Sequence, residues 1–253
     1  MLSKDINESI NNGKTMIFSA GQAGFIIKSA SGQMLAIDLY LSDCVEPLEG
    51  HDGYKRLLPK VLKPEEIIFD CIITTHFHRD HFDADSVPAM MNNNKSLLFA
   101  AYDCKEDVDA YGIDKGRTTF VKPGDKTVCG DFDISFINCD HGTGAPQAVG
   151  VIVLVDGKII VETGDTCLRL DRKDEYLQKG NIDALIAPIN GAYGNLDAKD
   201  CVELVKALDP KITIPCHFWM FASHGGNPEL FRNLMIENGK KYEIMPIGSS
   251  IVL

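Results

Sequence analysis

The sequence predicts one α/β or α+β domain that covers residues 1–253. Short β-rich runs separated by glycine turns fill the first part of the chain, and strand-like runs then alternate with amphipathic helical segments. Hydrophobic residues make up 45% and charged residues 24% of the 253 positions, which is ordinary for a globular protein with a sizeable core. No linker or low-complexity tract divides the chain, so we expect a single domain.

The first strands are predicted to form a meander. Residues 16–20 and 25–28 are rich in β-branched and aromatic side chains, and the glycine-containing turn 21–24 joins them. A third strand-like run, 34–39, carries Asp38 near its end, where an aspartate is commonly a turn former. A long irregular segment follows before the next strand, and loops of this length are usually functional or disordered.

The most informative stretch follows the apolar run 67–73, which is predicted to be a buried strand. Alternate residues of an extended chain share a face, so His76, His78 and Asp80 can point the same way. His81 comes next, where the chain turns towards a helical segment. Crowded imidazoles and a carboxylate favour a divalent metal site with room for two ions. The alternative is a polar turn with solvated histidines.

Three more polar residues stand where predicted strands end. His141 follows the strand-like run 131–139, and Asp165 follows a strand that the hairpin signal Asp156-Gly157 opens. His217 ends the short run 212–217. Strand ends along one edge of a pair of sheets can converge on one cleft, so we expect these side chains to meet the first cluster.

The other elements complete the alternation of strands and helices. Asp197 and Asn227 are predicted N-caps of two amphipathic helices, and Pro228 occupies the first helical position of the second. The remaining predicted strands are 96–101, 118–121, 149–155, 158–162, 182–189 and 242–253, and two further helices are predicted at 85–91 and 103–111.

Charge and cysteine content restrict the classes of partner and the compartment. The formal net charge of −11 disfavours broad nucleic-acid binding. The eight cysteines include no CxxC pair, and we expect reduced, buried thiols. The polar stretch 1–15 has no apolar leader, and the longest apolar run, 149–155, is too short to span a bilayer. We therefore expect a cytoplasmic protein with no membrane association.

The cluster at 76–81 resembles the His-x-His-x-Asp-His motif of the metallo-β-lactamase superfamily. The resemblance covers nearly the whole chain and implies a four-layer αββα sandwich, in which two mixed β-sheets are flanked by helices. It also implies that a similarly placed aspartate, here Asp38, supports a metal-binding histidine. Some members use a cysteine ligand, so Cys167 is an alternative to Asp165, although the Gly-Asp-Thr context favours Asp165.

Carried over by position, the resemblance implies two divalent metal ions, zinc or manganese, and two catalytic carboxylates, Asp80 and Asp165. Two metals that share a water lower its pKa towards neutrality and polarise the substrate, so no serine or cysteine nucleophile is needed. Asp80 could also relay a proton to the leaving oxygen. The implied ligands are His76, His78 and His141 for one metal, Asp80, His81 and His217 for the other, and Asp165 between them.

The stretches 121–125, 181–194 and 214–219 are most similar to the L-ascorbate-6-phosphate lactonase family. That similarity implies a small, phosphorylated lactone as substrate and a hydrolytic reaction. Two alternatives stay open: a metal-dependent phosphodiesterase or nuclease of the same superfamily, and a non-catalytic metal-binding protein. We expect a small-molecule substrate, and the chain could also form a homo-oligomer.

Further residues are weaker candidates for contact with the substrate or for support of the ligands. A substrate phosphate needs a cation beyond the metals, and Arg56, Lys122 and Arg169 are the options that the sequence offers. Histidines such as His224 commonly have no role of their own. The weaker candidates are Asp38, Tyr54, Arg56, Tyr193, Trp219 and His224.

Overall fold

Two β-sheets dominate the computed structural model, which describes residues 2–8, 13–142 and 144–253. Within these residues, the first sheet has seven strands in the order β13-β1-β2-β3-β4-β5-β6. Its strands are β1 (Met16–Gly21), β2 (Gly24–Lys28), β3 (Met34–Ile37), β4 (Cys71–Thr74), β5 (Leu97–Ala101), β6 (Thr118–Val121) and β13 (Ser250–Val252).

In the described part of the chain, the second sheet has six strands in the order β12-β11-β10-β9-β8-β7. Both sheets are mixed, because each combines antiparallel hairpins with parallel neighbours. Its strands are β7 (Lys126–Cys129), β8 (Phe132–Asn138), β9 (Val149–Val155), β10 (Lys158–Glu162), β11 (Ala184–Pro188) and β12 (Ile212–Cys216).

Helices cover the outer faces of the sheets. The main core lies between the sheets and extends under α1, α3 and α4, whereas a second apolar cluster joins the outer face of the second sheet to α6 and α7. Each helix in the described part of the chain is too short or too polar to cross a membrane. The helices are α1 (Leu2–Glu8), α2 (Glu46–Glu49), α3 (Ser86–Met91), α4 (Lys105–Ala110), α5 (Lys173–Tyr176), α6 (Ala198–Leu208) and α7 (Pro228–Glu237).

The predicted αββα sandwich is confirmed, with three local differences. The strand predicted at 67–73 begins only at Cys71, because the pairing with β3 starts at Leu35 and Cys71 and is preceded only by a backbone hydrogen bond between Asp70 and Met34. Strand β7 was not predicted, because it is an exposed edge strand with little apolar alternation. The strand predicted at 242–253 is reduced to β13, because Pro246 and Gly248 form a turn before it.

The expectation that all eight cysteines are reduced is wrong for two of them. Cys71 of β4 and Cys129 of β7 form a disulfide that links the two sheets. Their Cα atoms lie 6.5 Å apart because the sandwich stacks these strands, although 58 positions separate them in the chain. The other six cysteines are free, and four of these are buried.

The strand directions place the polar strand ends at one edge of the sandwich. In the first sheet, β3 and β4 run parallel, and β2 is antiparallel to β3, so the β1–β2 turn lies at the edge where β3 and β4 end. In the second sheet, β8, β10, β11 and β12 all end at a common edge.

Candidate metal centre

Three histidines from the two sheets form the first group of candidate ligands. His76 and His78 follow β4, and His141 follows β8 of the facing sheet. Nε2 of His76 lies 3.0 Å from Nδ1 of His78, and Nε2 of His141 lies 3.2 Å from the same atom. His76 is fully buried and His141 nearly so. Sequence prediction thus named three residues that the fold brings together.

The second group combines two imidazoles with two carboxylates. Nε2 of His81 lies 3.1 Å from Nε2 of His217. Oδ2 of Asp165 lies 3.0 Å from Nε2 of His217 and 3.4 Å from Nε2 of His81, and Oδ2 of Asp80 lies 3.3 Å from Nε2 of His217. Asp165 also lies 3.9 Å from Nε2 of His141, so it stands between the two groups.

The spacing of these atoms fits divalent metal ions. Two nitrogens that each lie 2.0–2.1 Å from a tetrahedral zinc are about 3.3 Å apart. The nitrogen pairs in both groups approach that separation. The Nε2 atoms of His81 and His217 face each other, and a hydrogen bond between two neutral rings places only one proton between them. A cation between the rings would instead bind the lone pairs of both nitrogens. Cys167 joins neither group among the described residues, so Asp165 is the better candidate there.

Asp38 forms a hydrogen bond to His81 of the second group. Its buried carboxylate accepts a hydrogen bond from Nδ1 of His81 at 2.6 Å, and it also accepts the N–H and the hydroxyl of Thr75 at 2.8 and 2.5 Å. Because Nδ1 of His81 is the donor, its Nε2 is left as the nitrogen that points into the group. The structure therefore places Asp38 where the resemblance implied.

The pKa shifts differ between the two groups. Burial lowers the pKa of His76 well below its ordinary value and also lowers the pKa of His141. Burial favours a lower pKa for His217 as well, but the carboxylates of Asp165 and Asp80 raise that pKa to about 9. The first group therefore holds neutral imidazoles, the form that binds metal, and the second supplies the negative charge that a divalent cation needs.

Two amide side chains complete the centre and were missed by sequence reasoning. Nε2 of Gln22, in the β1–β2 turn, donates to Oδ2 of Asp80 at 2.7 Å and lies 2.9 Å from Nδ1 of His224. Nδ2 of Asn195 donates to Oδ2 of Asp165 at 2.8 Å. Amides in glycine-containing turns carry no local signal for such a role, and only the strand directions bring them to this edge.

The backbone is strained around the centre. Among the described residues, seven non-glycine residues have a positive φ, and five of these belong to the centre or its immediate surroundings. Side chains other than glycine adopt this region at a cost, and such residues cluster at functional sites. The five are Gln22, Asp38, Tyr193, His217 and Trp219.

A cleft of about 730 Å³ opens over both groups. Tyr54 and Tyr193 meet at its wall through a hydrogen bond between their hydroxyls. His224 also lines the cleft, and its ring stacks on that of His217 with centroids 4.6 Å apart. The described lining is otherwise mainly apolar or acidic: Val45, Leu48, Glu49, Phe77 and Phe221.

Besides Asp38, two of the weaker sequence candidates, Arg56 and Trp219, lie outside the described lining of the cleft. Arg56 is buried elsewhere, where its guanidinium donates to the carbonyl of Tyr40 at 2.7 Å and packs over the Tyr40 ring. Trp219 is more than half exposed to solvent. The prediction that Arg56 contacts the substrate is therefore not supported, because its donors already stabilise the loop.

The other candidate cations are engaged as well. Lys122 packs over the ring of Tyr102, and Arg169 pairs with Asp140 and Asp171. Neither side chain belongs to the described lining of the cleft.

Comparison with known proteins agrees with this geometry. A family model described as a beta-lactamase superfamily domain matches residues 16–217. A UPF0173 metal-dependent hydrolase of Anaeromyxobacter dehalogenans is 30% identical over 234 residues, which cover 87% of this chain and 80% of that protein. A second one, from Thermococcus kodakarensis, is 28% identical and covers 89% and 92% of the two chains.

A solved structure shares the whole architecture. The metallo hydrolase of Ignicoccus hospitalis superposes with a TM-score of 0.76 at 19% identity and covers 95% of this chain and 98% of its own. The fold, the His/Asp groups and the matched relatives all agree. The chain therefore belongs to the metallo-β-lactamase superfamily and, within it, to the UPF0173 metal-dependent hydrolases.

Proposed function

We propose that this metal-dependent hydrolase holds two divalent ions and opens a small, uncharged lactone or related carboxylic ester. The observation that carries the proposal is the position of both candidate ligand groups at the floor of one cleft, with Asp165 between them. His76, His78 and His141 would hold one ion, and Asp80, His81 and His217 would hold the other. This assignment keeps all seven residues that the sequence suggested.

Divalent metals in such a centre supply an activated water and polarise the scissile carbonyl oxygen. The residues of the chain supply proton transfer. Asp80 lines the cleft, and although burial favours a higher pKa, the adjacent His81 and His217 keep its pKa well below the ordinary value. An ionised carboxylate at that place can accept a proton and return it to the leaving oxygen. Oδ2 of Asp80 also accepts an N–H of the Gln22 amide.

The charge of the lining favours an uncharged substrate over a phosphorylated one. The one arginine or lysine in the described lining is Arg79, whose Nη2 is paired with Asp107 at 2.7 Å and whose Nη1 has no partner but is buried. Glu49 adds a carboxylate to the lining. A phosphate group is bound best by solvent-accessible cationic donors, and neither of these two Arg79 nitrogens is both unpaired and accessible.

The experiment is a hydrolysis assay on protein that is first stripped of metal with a chelator and then reloaded with zinc or manganese. We expect ring opening of aliphatic lactones, measured by proton release, with lower activity on L-ascorbate 6-phosphate and on bis(p-nitrophenyl) phosphate. Asp80→Ala and His81→Ala should abolish turnover. The matched control is His51→Ala, because His51 is an exposed histidine outside the cleft.

Each result has a defined meaning. Preference for the phosphorylated lactone would establish the ascorbate-type substrate instead, and preference for the diester would establish a phosphodiesterase. A protein that binds metal but hydrolyses none of these substrates would favour the non-catalytic alternative. The cytoplasmic location and the homo-oligomer stay predictions.

A further inference from the structure

Gln22 holds an unusual position for a turn residue. Its side chain is only 4% exposed, and its backbone has a φ of +54°, in the left-handed region. Its amide nitrogen lies 2.7 Å from Oδ2 of Asp80. An ionised carboxylate only accepts hydrogen bonds, so the NH₂ group and not the carbonyl faces Asp80.

The second hydrogen of that NH₂ group determines the tautomer of His224. The amide nitrogen of Gln22 lies 2.9 Å from Nδ1 of His224 and 3.3 Å from Nε2 of His217, so the nearer Nδ1 takes this hydrogen. An amide nitrogen only donates, so Nδ1 of His224 must be the acceptor, and a neutral ring then carries its proton on Nε2. The hydrogen bond to Asp80 fixes the orientation of the Gln22 amide, and that orientation in turn fixes the tautomer of His224.

The ring of His224 has little freedom to turn. It stacks on His217, and the rings of Tyr54 and Phe221 contact it edge-on with centroids 5.4 and 5.0 Å away. His224 is 5% exposed and lines the cleft. Because Nδ1 is engaged by Gln22, the remaining polar atom of the ring, Nε2–H, is the donor available to a bound molecule.

We propose that His224 donates its Nε2–H to the substrate oxygen on which negative charge develops, and that Gln22 is a positioning residue that acts through His224. A preorganised donor of this kind stabilises developing charge at no cost of reorientation. The inference rests on the proposed hydrolysis for its chemical role. The tautomer of His224 does not depend on any substrate.

The first test reads the tautomer directly. We would record ¹⁵N spectra of the histidine rings in zinc-loaded, ¹⁵N-labelled protein and assign His224 with His224→Gln. The expected result is a protonated Nε2 and an unprotonated Nδ1 that is not bound to metal. His224 also forms a group of potential ligands with Asp80 and His217, so metal bound to either nitrogen of its ring, or a protonated Nδ1, would overturn the proposal without any functional assay.

The second test is a double-mutant cycle on kcat. We expect His224→Ala to lower kcat about 100-fold and Gln22→Met to lower it about 10-fold, with small changes in KM. The double variant should be no slower than His224→Ala alone. His224→Gln, which keeps an N–H donor, should recover part of the loss, and Gln178→Met serves as control because Gln178 is exposed on the surface.

The outcomes separate this inference from the proposed function. If the fold-losses in kcat of Gln22→Met and His224→Ala multiply in the double variant, at unchanged zinc content, Gln22 acts through Asp80. That result would overturn its role as a residue that positions His224. If wild-type protein hydrolyses no substrate, the donor role of His224 fails together with the proposed function. The ring spectra would still decide whether Gln22 sets the tautomer.

Discussion

Nδ1 of His81 donates a 2.6 Å hydrogen bond to the carboxylate of Asp38, although 43 positions separate the two residues. Both side chains are completely buried, and the parallel pairing of β3 with β4 brings them together. The same carboxylate binds the backbone and the hydroxyl of Thr75. One residue therefore fixes the end of β4 and the direction in which the His81 ring presents Nε2.

Asp38→Asn should weaken metal binding at the second group. The amide is a poorer acceptor for Nδ1–H, so we expect affinity to fall about 10- to 100-fold. Calorimetric titration of chelated protein with zinc measures this. The control is Asp83→Asn, since Asp83 is an equally buried aspartate that accepts the N–H groups of Leu41 and Ser42 and touches no candidate ligand. Equal affinities in the two variants would contradict the role of Asp38.

Gly164→Ala should displace Asp165. Gly164 has a φ of +66°, and an added Cβ would lie 2.9 Å from both Sγ of Cys139 and the carbonyl oxygen of Val149. Gly157→Ala is the matched control, because Gly157 has a φ of +72° but open space around it. We expect the control to lose about 1–2 kcal/mol of unfolding free energy from backbone strain alone.

Gly164→Ala should lose more than that control in urea denaturation and should also bind less zinc. Identical losses in the two variants, with full zinc content in both, would show that the backbone beside Asp165 tolerates a side chain.

Arg56→Met should affect stability and not substrate affinity. The buried guanidinium donates to the carbonyls of Tyr40 and Ser42, so its loss leaves acceptors unpaired at a cost of about 1–3 kcal/mol. KM should stay unchanged in steady-state assays, whereas Tyr193→Phe, which alters the wall of the cleft, should raise KM. A raised KM in Arg56→Met at full stability would restore Arg56 as a substrate residue.

Asp103→Asn should stabilise the protein more at pH 8 than at pH 5. Burial raises the pKa of Asp103 to about 6, above its value in the unfolded chain, and its Oδ2 has no partner. Wild-type stability should therefore fall as the pH rises from about 4, where this carboxyl ionises in the unfolded chain, to about 6, where it ionises in the folded protein, and should change little above that. Because the side chain is partly solvated, we expect a gain of about 1 kcal/mol.

Urea denaturation of wild-type protein and Asp103→Asn at pH 8 and pH 5 measures the effect. A stabilisation of equal size at both pH values would assign it to packing and not to ionisation.

Most of the fold was predictable because its strands carry strong local signals. The runs that became β1, β2, β9 and β10 are apolar, β-branched and bounded by glycine turns, and the caps at Asp197 and Asn227 are present as expected. The errors fall where local pattern is weak. Edge strand β7 has no buried stripe, and the Cys71–Cys129 disulfide depends on how the sheets stack.

The candidate ligands were predictable for a related reason. These candidates stand at the ends of strands, so His141, Asp165 and His217 could be identified from the boundary between an apolar run and the loop that follows it. Gln22 and Asn195 could not, because a polar amide in a turn is ordinary. The prediction that Arg56 contacts the substrate is not supported, and the sequence does not show that its guanidinium packs against Tyr40.

The most direct test of the two-metal centre is the metal content of zinc-loaded, gel-filtered protein, measured by inductively coupled plasma mass spectrometry. We predict two ions per chain for the wild type and one ion for each of His78→Ala and His217→Ala, because each variant removes a ligand from a different group. One ion or none in the wild type, or two ions in His217→Ala, would contradict a two-metal centre.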